Sequence, residues 1–469
     1  MSDTAVLTAQ GGACMSLIEF NRRRLLQGGG AAAIAAVVAL GHDNFVFSRR
    51  NPKQFVFTFW GTGSEKDEVS KVVNKNARTA GLVPRPESTQ TNYDTRINTL
   101  VAAGTAPDAG YLTGPMSMRF GEDGLLVNIA GNEKFADFMP QTIHWYSDKG
   151  CVSNTAVESF GLYYDKDATT KAGLTMPTSA ENTWTWDEFV EAADRLTVDA
   201  NGKHPSEAGY DAGDVVRYGV AVPTALQQVY PLLLSNDVHL FDDKGTTTRA
   251  ATAGSIKVFQ AITDLVTKHR VAPTPAQASN FGASVSLLLA GKRVAMAMDG
   301  AWALLDLSQS SVNYETAPLP KFQEFKNSIV GGATIAFAKG PHTTFATKML
   351  TDLADPRQSD LYTKGLWMPM QSSYYTDEDK ISAWIDPKVH KKGFRTAVVD
   401  SLLKSAETYP IYRLRNFAQI ESTIQGTFST MFATPGSVRP QMRRTADAVN
   451  GLMEGAYPDQ LGGVDRGAK

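Results

Sequence analysis

Residues 93–108, YDTRINTLVAAGTAPD, decide how this chain is read. Tyr93, Ile97, Leu100 and Val101 recur at the i, i+4, i+7, i+8 spacing of one helical face, which predicts an amphipathic helix. Gly104 falls where a helix commonly turns left-handed, and Pro107 prevents a restart. Asp108 is thereby delivered at the head of AGYL, which reads as a new strand. A helix, glycine stop, acidic turn and strand occur in many α/β proteins, so the flanking elements must settle the fold.

Upstream, FVFTFW at 55–60 is aromatic and β-branched enough for a buried first strand, broken by Gly61-Thr62-Gly63. Ser64 with Asp67 can cap the helix that follows, whose Val69, Val72 and Val73 face inward. A dinucleotide fingerprint would need its third glycine at position 66, where Lys66 stands. Downstream, Trp184-Thr185-Trp186-Asp187-Glu188-Phe189 combines a Thr185/Glu188 capping box with a Trp184/Phe189 hydrophobic staple. Phe189, Ala192, Ala193 and Leu196 supply the inward stripe of that helix. Residues 292–298, KRVAMAM, alternate like a strand and run into Asp299-Gly300-Ala301-Trp302. Helix and strand signals alternate throughout, which argues α/β, and the length past residue 41 is too great for one core. No long linker or repeat separates the parts, so two lobes would have to be interwoven.

Asn21-Arg22-Arg23-Arg24-Leu25-Leu26-Gln27 resembles a twin-arginine export signal, followed by an uncharged, weakly apolar stretch at 28–40. Thirteen residues are too few to cross a bilayer, where about 20 are needed. Residues 1–41 are therefore read as a signal region, with Ala39-Leu40-Gly41 as cleavage site and Met15 as an alternative start. Formal net charge is −2, and no basic excess points to nucleic acid. Of two cysteines, Cys14 lies in the signal region, so Cys151 has no intrachain partner after cleavage. The chain has no His-Glu-x-x-His, Gly-x-Ser-x-Gly or phosphate loop, and its seven histidines lack metal-ligand spacing.

Taken in order, these elements resemble the extracellular solute-binding proteins of sugar-type ABC transporters, the maltose-binding-protein-like family. Gly104-Thr105-Ala106-Pro107-Asp108 is similar to its Gly-x-x-Pro-Asp signature. Phe160 to Asp167, FGLYYDKD, resembles its crossover strand, and Ala317-Pro318-Leu319-Pro320 its return crossover. Gly331-Gly332 resembles its glycine-rich strand, and Gly365-Leu366-Trp367-Met368-Pro369 its hinge segment. The chain departs from the family in lacking Tyr-Gly-x-Pro before the first crossover.

The resemblance implies a two-lobed periplasmic-binding-protein fold of the type II kind, with lobe 1 at 54–162 plus 318–366 and lobe 2 at 163–317 plus 367–460. It implies a receptor, not an enzyme, that captures a carbohydrate between the lobes and delivers it to the permease of an ABC transporter. Such a protein needs no cofactor or metal, acts as a monomer, and is exported to the periplasm or cell envelope; with no cysteine just after the apolar stretch, it is not lipid-anchored. Trp60, Trp302 and Trp367 are implied as stacking platforms for a sugar's apolar face, with Asp108 as a hydroxyl acceptor. Asp299, Gly300, Gly331 and Gly332 complete the implied site. The alternatives are a twin-arginine-exported glycan-active enzyme and a ligand-sensing subunit with the same fold.

Because Arg22, Arg23 and Arg24 precede the only apolar stretch of this kind, replacing all three by Lys is expected to retain the protein in the cytoplasm. Fractionation and blotting check this, and normal export of the variant would remove the twin-arginine assignment.

Overall fold

The computed structural model describes residues 51–129, 131–146, 150–282 and 284–457, so the signal region and its cleavage site lie outside the described residues. Two sheets carry the fold. The first contains β1 (Gln54–Phe59), β2 (Val83–Ser88), β3 (Ala109–Leu112), β4 (Ile143–Tyr146) and β5 (Gly150–Asn154). The second contains β6 (Phe160–Asp165), β7 (Val198–Asp199), β8 (Val215–Val220), β9 (Val294–Gly300) and β10 (Tyr314–Ala317). After β10 the chain makes β11 (Asn327–Ile329), re-enters the first sheet as β12 (Ala333–Ala336), and later adds β13 (Ala406–Thr408) beside β11. The strand orders are β2-β1-β3-β12-β5-β4 and β10-β6-β9-β8-β7. The lobes are interwoven, because β12 returns to the first sheet only after the second has been built.

β1 explains why the first sheet is fully covered. Phe55, Phe57 and Phe59 point to one face and are completely buried, beneath helices Gly63–Thr79 and Thr343–Ala354. The other face carries Leu112, Ala333 and Ile335, packed with the inward stripe of helices Tyr93–Ala102 and Gly114–Glu122. A strand buried on both faces reads as a near-continuous apolar run, as QFVFTF does.

The deciding stretch folds as its pattern predicts. The helix spans Tyr93–Ala102, Gly104 adopts φ +68°, and AGYL is β3. The Thr185/Glu188 capping box forms, with Phe189, Ala192, Ala193 and Leu196 buried. The cap of the first helix is different: it starts at Gly63 with Thr62 as its N-cap and no side-chain bond, so Ser64 and Asp67 lie within its first turns.

Two crossings fall later than the motifs suggest. Prolines 318 and 320 have no amide to extend β10, and the chain stays beside the second sheet, where Lys321 N donates to Trp184 O and Gln323 N to Ser235 O. It crosses at β11 instead. Residues 367–373 likewise remain with the first sheet, since Met139 N donates to Met370 O and Ser372 N to Asp137 O. By Val389 the chain is against the second, its carbonyl accepting from Tyr314 Oη at 2.6 Å.

Asp108 braces three strands of the first sheet. Its amide donates to Val56 O, its Oδ2 accepts from Val56 N at 2.7 Å, and its carbonyl accepts from Phe337 N. It is 1% exposed. Asp108→Ala strands the Val56 amide in the core and is expected to cost about 1–3 kcal/mol of stability. Urea unfolding checks this. An unchanged midpoint would show that the bond contributes nothing.

Candidate ligand-binding cleft

The sheets meet where the chain first crosses between them. Glu158 N donates to Val330 O and Val330 N to Glu158 O, both at 3.0 Å, while Val157 N donates to Met368 O. Three separate stretches of chain are thus tied together at one place.

On the first-sheet side, Trp60 follows the C-terminal end of β1. Its half-buried indole stands edge-to-face on Tyr93 and Tyr111, with ring centroids 5.4 and 5.0 Å away. A Cβ on Gly332 would lie 2.8 Å from Trp60 Cζ2, so Gly332 is the seat of that indole. Gly331 is constrained differently: its Cβ would lie 2.5 Å from Ala156 O, and its carbonyl accepts from Tyr412 Oη at 2.6 Å. At both glycines the space that a side chain would take is filled by protein atoms, so each serves close chain packing.

The second-sheet side repeats this device. A Cβ on Gly300 would lie 2.1 Å from the Trp302 ring, so the missing side chain makes room for the indole. Trp302 is half-buried and stands edge-to-face on Phe160 at 5.6 Å. Its backbone amide is used by the Glu158 carboxylate, so it is not free for a sugar hydroxyl. Asp299 accepts from Gln228 Nε2 at 3.1 Å and from the Gly300 amide at 2.9 Å, and its carboxylate also bonds the Trp302 side chain. Burial outweighs these bonds and pushes the Asp299 carboxyl up to about 6.

Two further carboxyls belong to the same region. Glu65, in the first turn of helix Gly63–Thr79, folds over Gly61, and burial pushes its carboxyl up to about 7. Glu158 is held well above the ordinary carboxylate range by burial and then by the neighbouring Glu65 and Asp299, against the bond from the Trp302 amide. Among the described residues its Oε2 has no hydrogen-bond partner, and neither has Tyr111 Oη.

The sequence motifs did not single out Glu65, Glu158, Tyr111 or Gln228. Glu158 carries the one readable signal, a lone charge in the small and apolar run AVESF at 156–160. Tyr111 offers a weaker one, a polar tip in the buried strand AGYL. Nothing marks Gln228, whose side-chain oxygen caps the amides of Thr224 and Ala225 while its nitrogen reaches Asp299.

Two expected contacts are not met. Asp108 pairs with Val56, well down the strand from Trp60, and its Oδ2 is committed to the sheet. Trp367 joins the aromatic group edge-on to Tyr111 at 6.4 Å and to Tyr362 at 5.5 Å, but it is 5% exposed and presents no open face for stacking. It backs Tyr111. Among the described residues no cluster of His, Cys, Asp and Glu is arranged to hold a metal ion. Nor is any helix among them long and apolar enough to cross a membrane.

No curated protein matches this sequence. Among solved structures, the chain is similar to an ABC substrate-binding protein from Listeria monocytogenes in complex with cycloalternan, at TM-score 0.70 and 20% identity, over 85% of this chain and 98% of that one. It is similar to the GacH receptor of Streptomyces glaucescens, solved unliganded and with acarbose, at TM-score 0.68 and 16% identity over 85% and 98%. An ABC transporter solute-binding protein from Thermotoga lettingae, bound with α-D-tagatose, gives TM-score 0.66 and 20% identity over 86% and 100%. At these identities the likeness is one of fold, the two-lobed binding-protein architecture. Residues 92–360, more than half of the sequence, match a family in their own right, and the chain belongs to the bacterial extracellular solute-binding proteins.

Proposed function

We propose that this protein is an exported receptor that captures a carbohydrate between its lobes and presents it to the permease of an ABC transporter. The observation that carries the reading is the pair of half-buried indoles, Trp60 and Trp302, on opposite sides of the crossing, each seated on a glycine, with Glu65 folded over Gly61 next to Trp60 and the Glu158 and Asp299 carboxyls bonded to Trp302. An indole face suits the apolar side of a pyranose, and carboxylates and amides suit its hydroxyls. The structural relatives bound to cycloalternan, acarbose and tagatose support the ligand class.

We place lobe 1 at 54–157 with 330–376 and lobe 2 at 160–326 with 389–457, on the hydrogen bonds that hold each stretch to its sheet. The mechanism is closure about residues 158–159 and β11, in which the ligand stabilises the closed state by its better contacts there. The receptor works as a monomer, is exported through its arginine signal, and is not lipid-anchored. It delivers its ligand unchanged. A second reading, a glycan-active enzyme, has one observation in its favour: the raised Glu158 and Asp299 carboxyls have the protonation that a general acid requires.

A thermal-shift screen of mono- and oligosaccharides, followed by calorimetry and analysis of the recovered sugar, tests the proposal. The expected outcome is saturable binding with every sugar returned intact; hydrolysed product would favour the enzyme. Trp302→Ala is expected to weaken binding by about 1–3 kcal/mol, the scale of a lost aromatic anchor. Unchanged affinity would place the ligand elsewhere.

A further inference from the structure

We infer that the sugar taken by this cleft carries a cationic amine, and that Glu158, flanked by Glu65 and Asp299, is the counter-charge that selects it. The inference rests on the carbohydrate reading above and narrows it.

Two independent groups point to a ligand. Glu158 is 6% exposed, its carboxylate is supported by the Trp302 amide, and its Oε2 has no hydrogen-bond partner. Tyr111 is 1% exposed, its Oη is likewise unpartnered, and its ring lies between Trp60 and Trp367. Other buried side-chain atoms also lack a partner, but Glu158 and Tyr111 adjoin Trp302 and Trp60, the half-buried indoles on the two sides of the crossing, which places both orphans where a ligand would lie.

The surroundings select its charge. Glu158 is influenced by Glu65 and Asp299, and the groups acting on those two are the Gln228 side chain, the Gly300 amide and the Trp302 side chain. No arginine or lysine among the described residues is a cause of any of the three shifts. The phenols of Tyr111, Tyr163, Tyr362 and Tyr375 also face this group of carboxyls and are held neutral by burial. An anionic ligand such as a sugar phosphate or uronate would therefore meet carboxyls and no counter-charge.

A neutral sugar could satisfy the orphan oxygen, but only a cation relieves like charges held together out of water. An ammonium brings three donors, and the faces of Trp60 and Tyr111 attract it further. Near neutral pH the carboxyls retain protons in its absence, Asp299 to about 6 and Glu65 to about 7. Binding an amine favours their ionised form, so affinity should increase as pH rises through that range.

The test uses matched probes with the mature protein: methyl 6-amino-6-deoxyglucoside against methyl glucoside and 6-amino-6-deoxytrehalose against trehalose, whose primary alkylamines stay largely cationic throughout, with glucuronate as the anionic control. Calorimetry at about pH 5 and about pH 8 should show an amine-bearing probe binding about tenfold more tightly than its neutral partner at the higher pH, with proton release on binding at the lower pH, and glucuronate not binding. Glu158→Gln should bring the amine-to-neutral ratio towards one, with circular dichroism confirming its fold and Asp299→Asn as the second variant. Neutral sugars that bind as tightly as their amines, or a preference that survives both variants, would overturn the inference and leave the carbohydrate reading intact. If neither amine binds while a neutral sugar does, the inference fails alone. If no member of a broad sugar panel binds at all, the carbohydrate reading fails with it.

Discussion

The reciprocal backbone bonds between Glu158 and Val330 are the constraint on which the cleft depends. They join the first outward crossing to the first return, so each neighbouring residue acquires a fixed position relative to both sheets. One residue past Val330, Gly331 and then Gly332 lead into β12, and Gly332 seats Trp60. One residue past Glu158, Ser159 accepts from the Ala301 amide, which sets the turn that carries Trp302. The two indoles are thus positioned from a single ladder, although they stand more than 200 residues apart in sequence.

The same location explains the electrostatics. A crossing between two lobes is screened from water on both sides, and a carboxyl placed there loses hydration without gaining an arginine. Glu158 accepts this cost with one backbone amide as support. Asp299 has three supporting bonds and is shifted less than its burial alone would dictate. Asp108 is a contrast of position within the same molecule: it sits deep in the sheet, where its Oδ2 accepts the Val56 amide at 2.7 Å.

How much of this was legible follows from the range of each interaction. Local features were readable: the helix at Tyr93–Ala102, the glycine stop, the strand AGYL and the Thr185 box all form, because each is decided within about one helical turn or one strand. The order of the motifs also conveyed the two interwoven lobes. Lobe edges were less readable, since the Pro318/Pro320 segment marks the end of β10 but not where the chain leaves the second sheet. The expected aromatic residues divide by exposure. Trp60 and Trp302 stand at the predicted turns, whereas Trp367 is covered by neighbours from distant stretches, and no local pattern encodes that cover.

The glycines show why residue type alone could not separate scaffold from site. A glycine beside a cleft permits a close approach, but sequence does not say by what. At Gly300 and Gly332 the approaching group is the protein's own indole, at separations that even one methyl group would close. Each glycine therefore acts on a ligand only through the tryptophan it seats. Asp108 was misread for the related reason that an acidic residue at a turn is equally suited to a hydroxyl or to a backbone amide. The choice is made by register: β1 pairs in parallel with β3 so that Val56 lies opposite Asp108, and its amide is the donor within reach. Glu158 stands at the crossing rather than within a sheet, and its Oε2 has no hydrogen-bond partner among the described residues; position, rather than side-chain type, makes one carboxylate a brace and the other a candidate for recognition.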